Sequence, residues 1–217
     1  MLQSLEILGN PDGPWSEALR GFAATVMLGY RNGIGALAIV GAWEGEGRTS
    51  VVASLGIVLA QLSAQVVVVD GDLRRPTLSK VFQLEDRPGL TDFLTGQSRL
   101  SLYSTAVDRL RCLPCGTSLP EDSGALLLRE EFAALVKELR VTGALLLFDT
   151  PAMGLCSDAV TIARHLDGAY MVVGLDQFSG PAEGHFVEDL RDQQVEVRGV
   201  ILTGCRQTDQ TAYRSRA

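Results

Sequence analysis

The chain has 217 residues, 46% of them hydrophobic and 21% charged, enough apolar material for one full core and far from a disordered composition. Its formal net charge of −7, from 26 acidic and 19 basic residues, argues against a general affinity for nucleic acid. The longest apolar run, Val51 to Leu62, is well short of a membrane span, and the start Met1-Leu2-Gln3-Ser4-Leu5-Glu6 lacks the pattern of a secretion signal; the expectation is a cytoplasmic protein without direct membrane insertion, recruited to a membrane only through a partner.

Asp12-Gly13-Pro14 opens a helix with proline in its first turn, running through Trp15 to about Tyr30. Ala36 to Val40 is a short buried strand, and Thr49 to Ala64 is apolar enough for a packed helix. Between them lies Gly41-Ala42-Trp43-Glu44-Gly45-Glu46-Gly47-Arg48-Thr49-Ser50. Strand, glycine loop and helix is the context of a phosphate-binding loop, in which backbone N–H groups and the helix start face phosphates. The candidate binding residues are Gly45, Glu46, Gly47, Arg48, Thr49 and Ser50, with the Thr49 hydroxyl placed to reach Mg²⁺. An ordinary glycine-rich turn would read the same from this segment alone. The loop's usual lysine is Arg48, in a chain with 17 arginines and only Lys80 and Lys137. That bias explains the origin of the change, but a planar guanidinium fork is no equivalent of a slim ammonium in a tight site.

Gln65 to Asp70 is a strand whose valine run ends in an acid, followed by the charged loop Gly71-Asp72-Leu73-Arg74-Arg75-Pro76. Short helices are expected at Leu78–Gln83 and Leu90–Leu94, then a strand from Arg109 to Leu113 and a helix from Ala125 to Leu139. Ala144 to Asp149 is another strand ending in aspartate. Ser157–His165 reads as helix, Ala169–Val173 as strand, Glu183–Gln193 as helix, and Gly199–Leu202 as the closing strand. One domain over residues 1–206 and a polar tail over 207–217 follow. Strands without alternation, interleaved with helices, predict an α/β fold with a mostly parallel sheet covered on both faces. Ligands of such sheets bind beyond the carboxyl ends of the strands, where the glycine loop, Asp70, Asp72 and Asp149 all fall. Cys112-Leu113-Pro114-Cys115 is formally a C-x-x-C, but Cys156, Cys205, His165 and His185 complete no ligand spacing, so it reads as chance spacing at a strand end.

The order glycine loop, Asp70-x-Asp72-x-Arg74, then Asp149-Thr150-Pro151 resembles the bacterial tyrosine kinases of capsule and exopolysaccharide synthesis (BY-kinases), P-loop proteins related to the partitioning and Min-type ATPases. The likeness runs from about Gly13 to Cys205. It is most specific in Val69 through Leu78, Pro88-Gly89-Leu90 to Leu94-Thr95-Gly96, Leu113-Pro114 with Gly116, and Ser157-Asp158-Ala159. The resemblance implies ATP or ADP and Mg²⁺ as cofactors, with Thr49 binding the metal, Asp149 holding it through water and Asp70 beside them. It implies Arg48 and Arg74 toward the phosphates and Asp70 and Asp72 near the γ-phosphate as catalytic carboxylates, Asp72 being the acceptor of the proton of an attacking tyrosine. Positioning, metal and a carboxylate are what phosphoryl transfer needs. It also implies Tyr213, in Thr211-Ala212-Tyr213-Arg214, as phospho-acceptor and the cytoplasmic segment of a membrane-embedded polysaccharide co-polymerase as activator.

Several positions depart from the family pattern. Glu44 stands for its usual proline, so Glu44 and Glu46 set two acids against Arg48 where a triphosphate would dock, unless Mg²⁺ or Arg74 and Arg75 compensate. Thr203 replaces an adenine-facing asparagine, and Trp43 occupies the place of the partitioning ATPases' signature lysine. The assembly motif E-x-x-R-x-x-R survives as Glu17-x-x-Arg20 but ends in Ala23, which argues against a closed ring. Two readings follow: a Mg-ATP-dependent tyrosine kinase or ATPase that regulates exopolysaccharide assembly, or a degenerate non-catalytic relative serving as scaffold or weak nucleotide sensor.

Overall fold

In a computed structural model, residues 9–205 are described apart from 11, 120, 121 and 179. The elements are α1 (Pro14–Arg31), β1 (Ala36–Gly41), α2 (Arg48–Gln61), β2 (Val66–Asp70), α3 (Leu78–Val81), α4 (Leu90–Leu94), β3 (Tyr103–Ser104) and β4 (Leu110–Leu113). They continue as α5 (Ser123–Leu127), α6 (Glu130–Val141), β5 (Leu145–Asp149), α7 (Asp158–Ala163), β6 (Ala169–Gly174), α8 (Pro181–Asp192) and β7 (Val197–Thr203). The seven strands form one sheet in the order β3-β4-β2-β5-β1-β6-β7. All pairs are parallel except β3 with β4.

Every residue of β1, β2, β5 and β6 is buried, which is why these segments lack alternation. Leu37, Ile39, Val66, Val68, Leu145 and Leu147 face α1 and α2. Their neighbours turn to the opposite face, Val67, Val69, Leu146 and Phe148 under α4 to α6, and Ala38, Val40, Met171 and Val173 under α7 and α8. Helix α2 is buried along nearly all its length because α1 covers the side turned away from the sheet. Each Val, Leu or Ile fully buried there stabilises the fold by roughly 1.5–3 kcal/mol relative to exposure. Gly56 is the point of closest approach: a Cβ there would lie 2.9 Å from Val68 Cγ1 and 3.2 Å from Leu110 Cδ1.

The helix expected to reach Ala64 ends at Gln61, since Ser63 takes a left-handed φ of 69°, the usual way of stopping a helix. The helix expected over Ala125–Leu139 is two. Arg129 is extended (φ −72°, ψ 153°) and its Nη1 donates to Leu94 O at 3.1 Å. One straight helix presenting Phe132, Leu135 and Leu139 would also turn Leu128 inward. The break instead buries Leu126 and Leu127 and leaves Leu128 72% exposed. The antiparallel edge strand β3 is only two residues long and carries no sequence signal. No helix among the described residues is long and apolar enough to cross a membrane.

Candidate functional site

The parallel register places Asp70 directly opposite Asp149 at the carboxyl ends of β2 and β5, with the glycine loop leaving β1 beside β5. Gly45 (φ 84°) and Gly47 (φ 91°) give the loop its left-handed turns, which side chains other than glycine rarely adopt. Thr49, in the first turn of α2, donates Oγ1–H to Asp149 Oδ2 at 2.6 Å. Asp70 Oδ2 accepts from both N and Oγ of Ser79, at 2.7 and 2.6 Å. Asp70 Oδ1 and Asp149 Oδ1 are buried without a hydrogen-bond partner.

Burial pushes the Asp70 carboxyl up to about 7, against the Ser79 bonds that lower it. It pushes Asp149 up to about 8, with the charge of Asp70 adding to the rise. Two desolvated carboxyls, each with an orphaned oxygen, next to a hydroxyl at a helix start fit a hard divalent cation. Mg²⁺ takes few protein oxygens and completes its shell with water and phosphate. No group of three or more His, Cys, Asp or Glu side chains suited to a metal occurs among the described residues, so a phosphate ligand would be needed beside them.

Arg48 does not reach outward from the loop. Its Nε donates to Thr150 O at 3.1 Å, its Nη1 donates to Trp43 O, and the same nitrogen lies 3.6 Å from Glu46 Oε2. Glu46 is turned in with it, accepting from Trp43 N at 2.9 Å and Gly174 N at 3.4 Å. Thr203 donates to the Glu46 carbonyl at 2.7 Å, tying the loop to β7. Trp43 anchors the other side: its Nε1 donates to the buried Glu183 at 3.2 Å, and its ring meets Phe186 edge-on at 5.6 Å between centroids.

At the rim, Asp72 is half-buried, and its Oδ1 accepts from the backbone N–H of Arg74 and Arg75 at 3.2 and 2.9 Å. Arg75 pairs with Glu44, and Arg74 with Asp158 at 3.2 Å. Asp158 raises the Arg74 pKa by hydrogen bond and charge. Each loop acid therefore has a guanidinium partner inside the chain: Glu44 has Arg75 and Glu46 has Arg48. Ser50 is exposed beside Thr49.

The structure thus brings Gly45, Glu46, Gly47, Arg48, Thr49, Asp70, Asp72, Arg74 and Asp149 to one sheet edge. Tyr213 and the rest of the 207–217 tail lie outside the described residues. Sequence reasoning passed over Ser79, Gly174 and Glu183, which hold the site from elements without a motif of their own, and gave no role to the Thr150 carbonyl that Arg48 reaches. Cys112 and Cys115 are free and buried, and burial raises both thiols. Ala23 sits on the buried face of α1, fully inside the core, while Glu17 and Arg20 pair with each other at 2.8 Å on the helix's exposed face.

No protein-family model matches the chain. It is 31% identical over 173 residues to the tyrosine-protein kinase CpsD of Streptococcus agalactiae serotype III, covering 76% of this chain and 72% of that protein. It is 27% identical over 177 residues to the tyrosine-protein kinase YwqD of Bacillus subtilis, covering 81% and 74%. Against the tyrosine-protein kinase etk of Escherichia coli, at 27% identity over 209 residues, it covers 94% of this chain but 28% of that protein. Among solved structures, the chimerical protein CapA2B2 superposes with a TM-score of 0.83 at 26% identity, over 92% of this chain and 89% of that one. The kinase domain of Escherichia coli ETK gives 0.87 at 24% identity over 94% and 82%. MinD of Pyrococcus horikoshii, complexed with Mg-ADP, gives 0.66 at 24% identity over 80% and 72%; at that identity the last two speak for the P-loop fold alone.

Proposed function

The chain belongs to the bacterial tyrosine-kinase (BY-kinase) family, and from that premise we propose that it binds Mg-ATP and transfers the γ-phosphoryl group to tyrosine in the control of capsule or exopolysaccharide assembly. The observation that carries this reading is the Thr49–Asp149 hydrogen bond beside the orphaned oxygens of Asp70 and Asp149. The residues that would hold Mg²⁺ are Thr49, Asp149 and Asp70. Bound there, the ion would offset charge on the phosphate oxygens.

The remaining roles belong to the chain itself. The loop N–H groups from Gly45 to Ser50 cradle phosphate at the start of α2. Asp72, at the half-buried lip, is the carboxylate a tyrosine hydroxyl can approach; Asp70 is sealed in the sheet edge. As general base, Asp72 accepts the phenolic proton while the tyrosine oxygen attacks the γ-phosphorus, and ADP leaves with the electrons of the broken bond. Arg74, half exposed beside Asp158, is within the same rim and serves the phosphates. Tyr213 is the acceptor, presented in cis or to a neighbouring copy. The activator is the cytoplasmic segment of a membrane-embedded polysaccharide co-polymerase, which places this chain at the inner face of the membrane.

Calorimetric titration with Mg-ADP and Mg-ATP, followed by γ-labelled ATP with and without such a segment, tests the proposal. Saturable binding and label on tyrosine support it. No binding at millimolar nucleotide would refute it and return the chain to the scaffold reading, which the kinase names of its relatives do not favour.

A further inference from the structure

The guanidinium of Arg48 and the carboxylate of Glu46 lie inside the loop that should receive phosphate. Their side chains are 9% and 0% exposed. Both press against the end of β1: a Cβ on Gly41 would sit 2.6 Å from Glu46 Oε2 and 3.0 Å from Arg48 Nη1. The arginine fork reaches the carbonyls of Thr150 and Trp43 with two separate nitrogens, Nε and Nη1, where a lysine would bring a single nitrogen. The pair is also tied outward, through Gly174 N to β6, through the Glu46 carbonyl to Thr203 on β7, and through Trp43 to α8.

We propose that Glu46 is a positioning residue that holds Arg48 folded into its own loop, so that the resting phosphate cradle is plugged and nucleotide binds only after the Glu46–Arg48 pair opens. This deepens the nucleotide-binding reading above and rests on it. The chain thereby carries its own gate, held by two guanidinium nitrogens on the carbonyls of Thr150 and Trp43. Opening must precede docking, so association is limited by the population of open loops rather than by encounter.

A double-mutant cycle on the full chain tests this, with Mg-ADP as the probe. Glu46→Gln keeps the shape and removes the charge, and tightens binding by about fivefold or more; in an Arg48→Lys background the same change gives less than about twofold. Glu44→Gln removes an equal charge from the same loop without touching Arg48, and is expected to shift affinity by less than about twofold. Equal gains from Glu46→Gln in both backgrounds, or a gain matched by Glu44→Gln, would reduce the effect to general repulsion and overturn the gate. The wild-type association rate should level off with rising Mg-ADP, and that of Arg48→Lys should keep rising; identical linear rates overturn the proposal even if Glu46→Gln does not fold. If no variant binds nucleotide, the kinase reading has failed and the pair is judged by hydrogen exchange. Faster exchange of the Trp43 amide, which donates to Glu46, in Arg48→Lys keeps the interlock, and unchanged exchange discards it.

Discussion

The buried carboxyls predict an inverted pH dependence of stability. Asp70 rises from 3.8 to about 7 and Asp149 from 3.8 to about 8 on folding. A carboxyl with the higher pKa in the folded state binds its proton there and not in the unfolded chain. Stability is therefore greatest below the unfolded value and declines as pH rises through about 7 and 8. Raising one carboxyl from 3.8 to about 7 amounts to on the order of 4 kcal/mol above both values. The rise at Asp149 already contains the charge of Asp70, so the two are not summed. Part of that loss already occurs between pH 3.8 and about 5.5, so metal-free protein unfolded by urea should lose about 2–3 kcal/mol between about pH 5.5 and 8.5, a large share of a typical domain's stability. His165, which burial holds below its ordinary value of 6.5, works in the opposite direction at lower pH, and comparison with Asp149→Asn cancels it. That variant should show about half the slope or less, because it removes one buried acid and relieves the other. Mg²⁺ should restore stability to the wild type at pH 8.5 and leave Asp149→Asn unmoved. A wild type more stable at pH 8.5 than at 5.5 without metal, or an equal slope in the variant, would refute the reasoning.

Restoring lysine at 48 and proline at 44 together should tighten Mg-ADP binding by at least about tenfold, on the order of 1.4 kcal/mol, as read by calorimetry. Asp72→Asn should abolish label uptake from γ-labelled ATP with the fold intact, and Tyr213→Phe should abolish it by removing the acceptor; label persisting on Tyr30, Tyr103 or Tyr170 would contradict the second. Gly56→Ala should destabilise by about 1–2 kcal/mol in urea titration, because the clash with Val68 outweighs the gain in helix propensity. Light scattering should find a monomer or small oligomer, since the buried Ala23 offers no charge to a neighbour; a stable closed ring at micromolar concentration would contradict it.

The strand ends were legible because each valine or leucine run stops at an acid, and Asp70 and Asp149 then meet by parallel register. The glycine loop was legible for the same reason that it folds: only glycine takes the turns at 45 and 47 without strain. What stayed hidden was set by distant partners. Nothing local says that Arg48 will find the carbonyl of Thr150, or that Thr203 will bond the Glu46 carbonyl rather than face a base. The break at Arg129 was hidden too, because periodicity counts apolar residues without showing which face the sheet will accept. Glu44 and Glu46 looked like two charges against one; in three dimensions Arg75 arrives from another loop to answer the first.

The position of β1 in the sheet has a consequence for synthesis. It is the first strand among the described residues, yet it lies between β5 and β6, two of the last. Thr49 waits 100 residues for the aspartate it bonds. During translation the apolar β1 and α2 emerge long before either neighbour of β1 exists, so the nascent chain must keep that surface from associating wrongly. The sheet can zip only after β6 clears the ribosome, and the late, non-local pairing predicts slow folding. A chain cut short before β5 has no Asp149 to meet Thr49, so a prematurely terminated product lacks the carboxylate half of the Thr49–Asp149 pair.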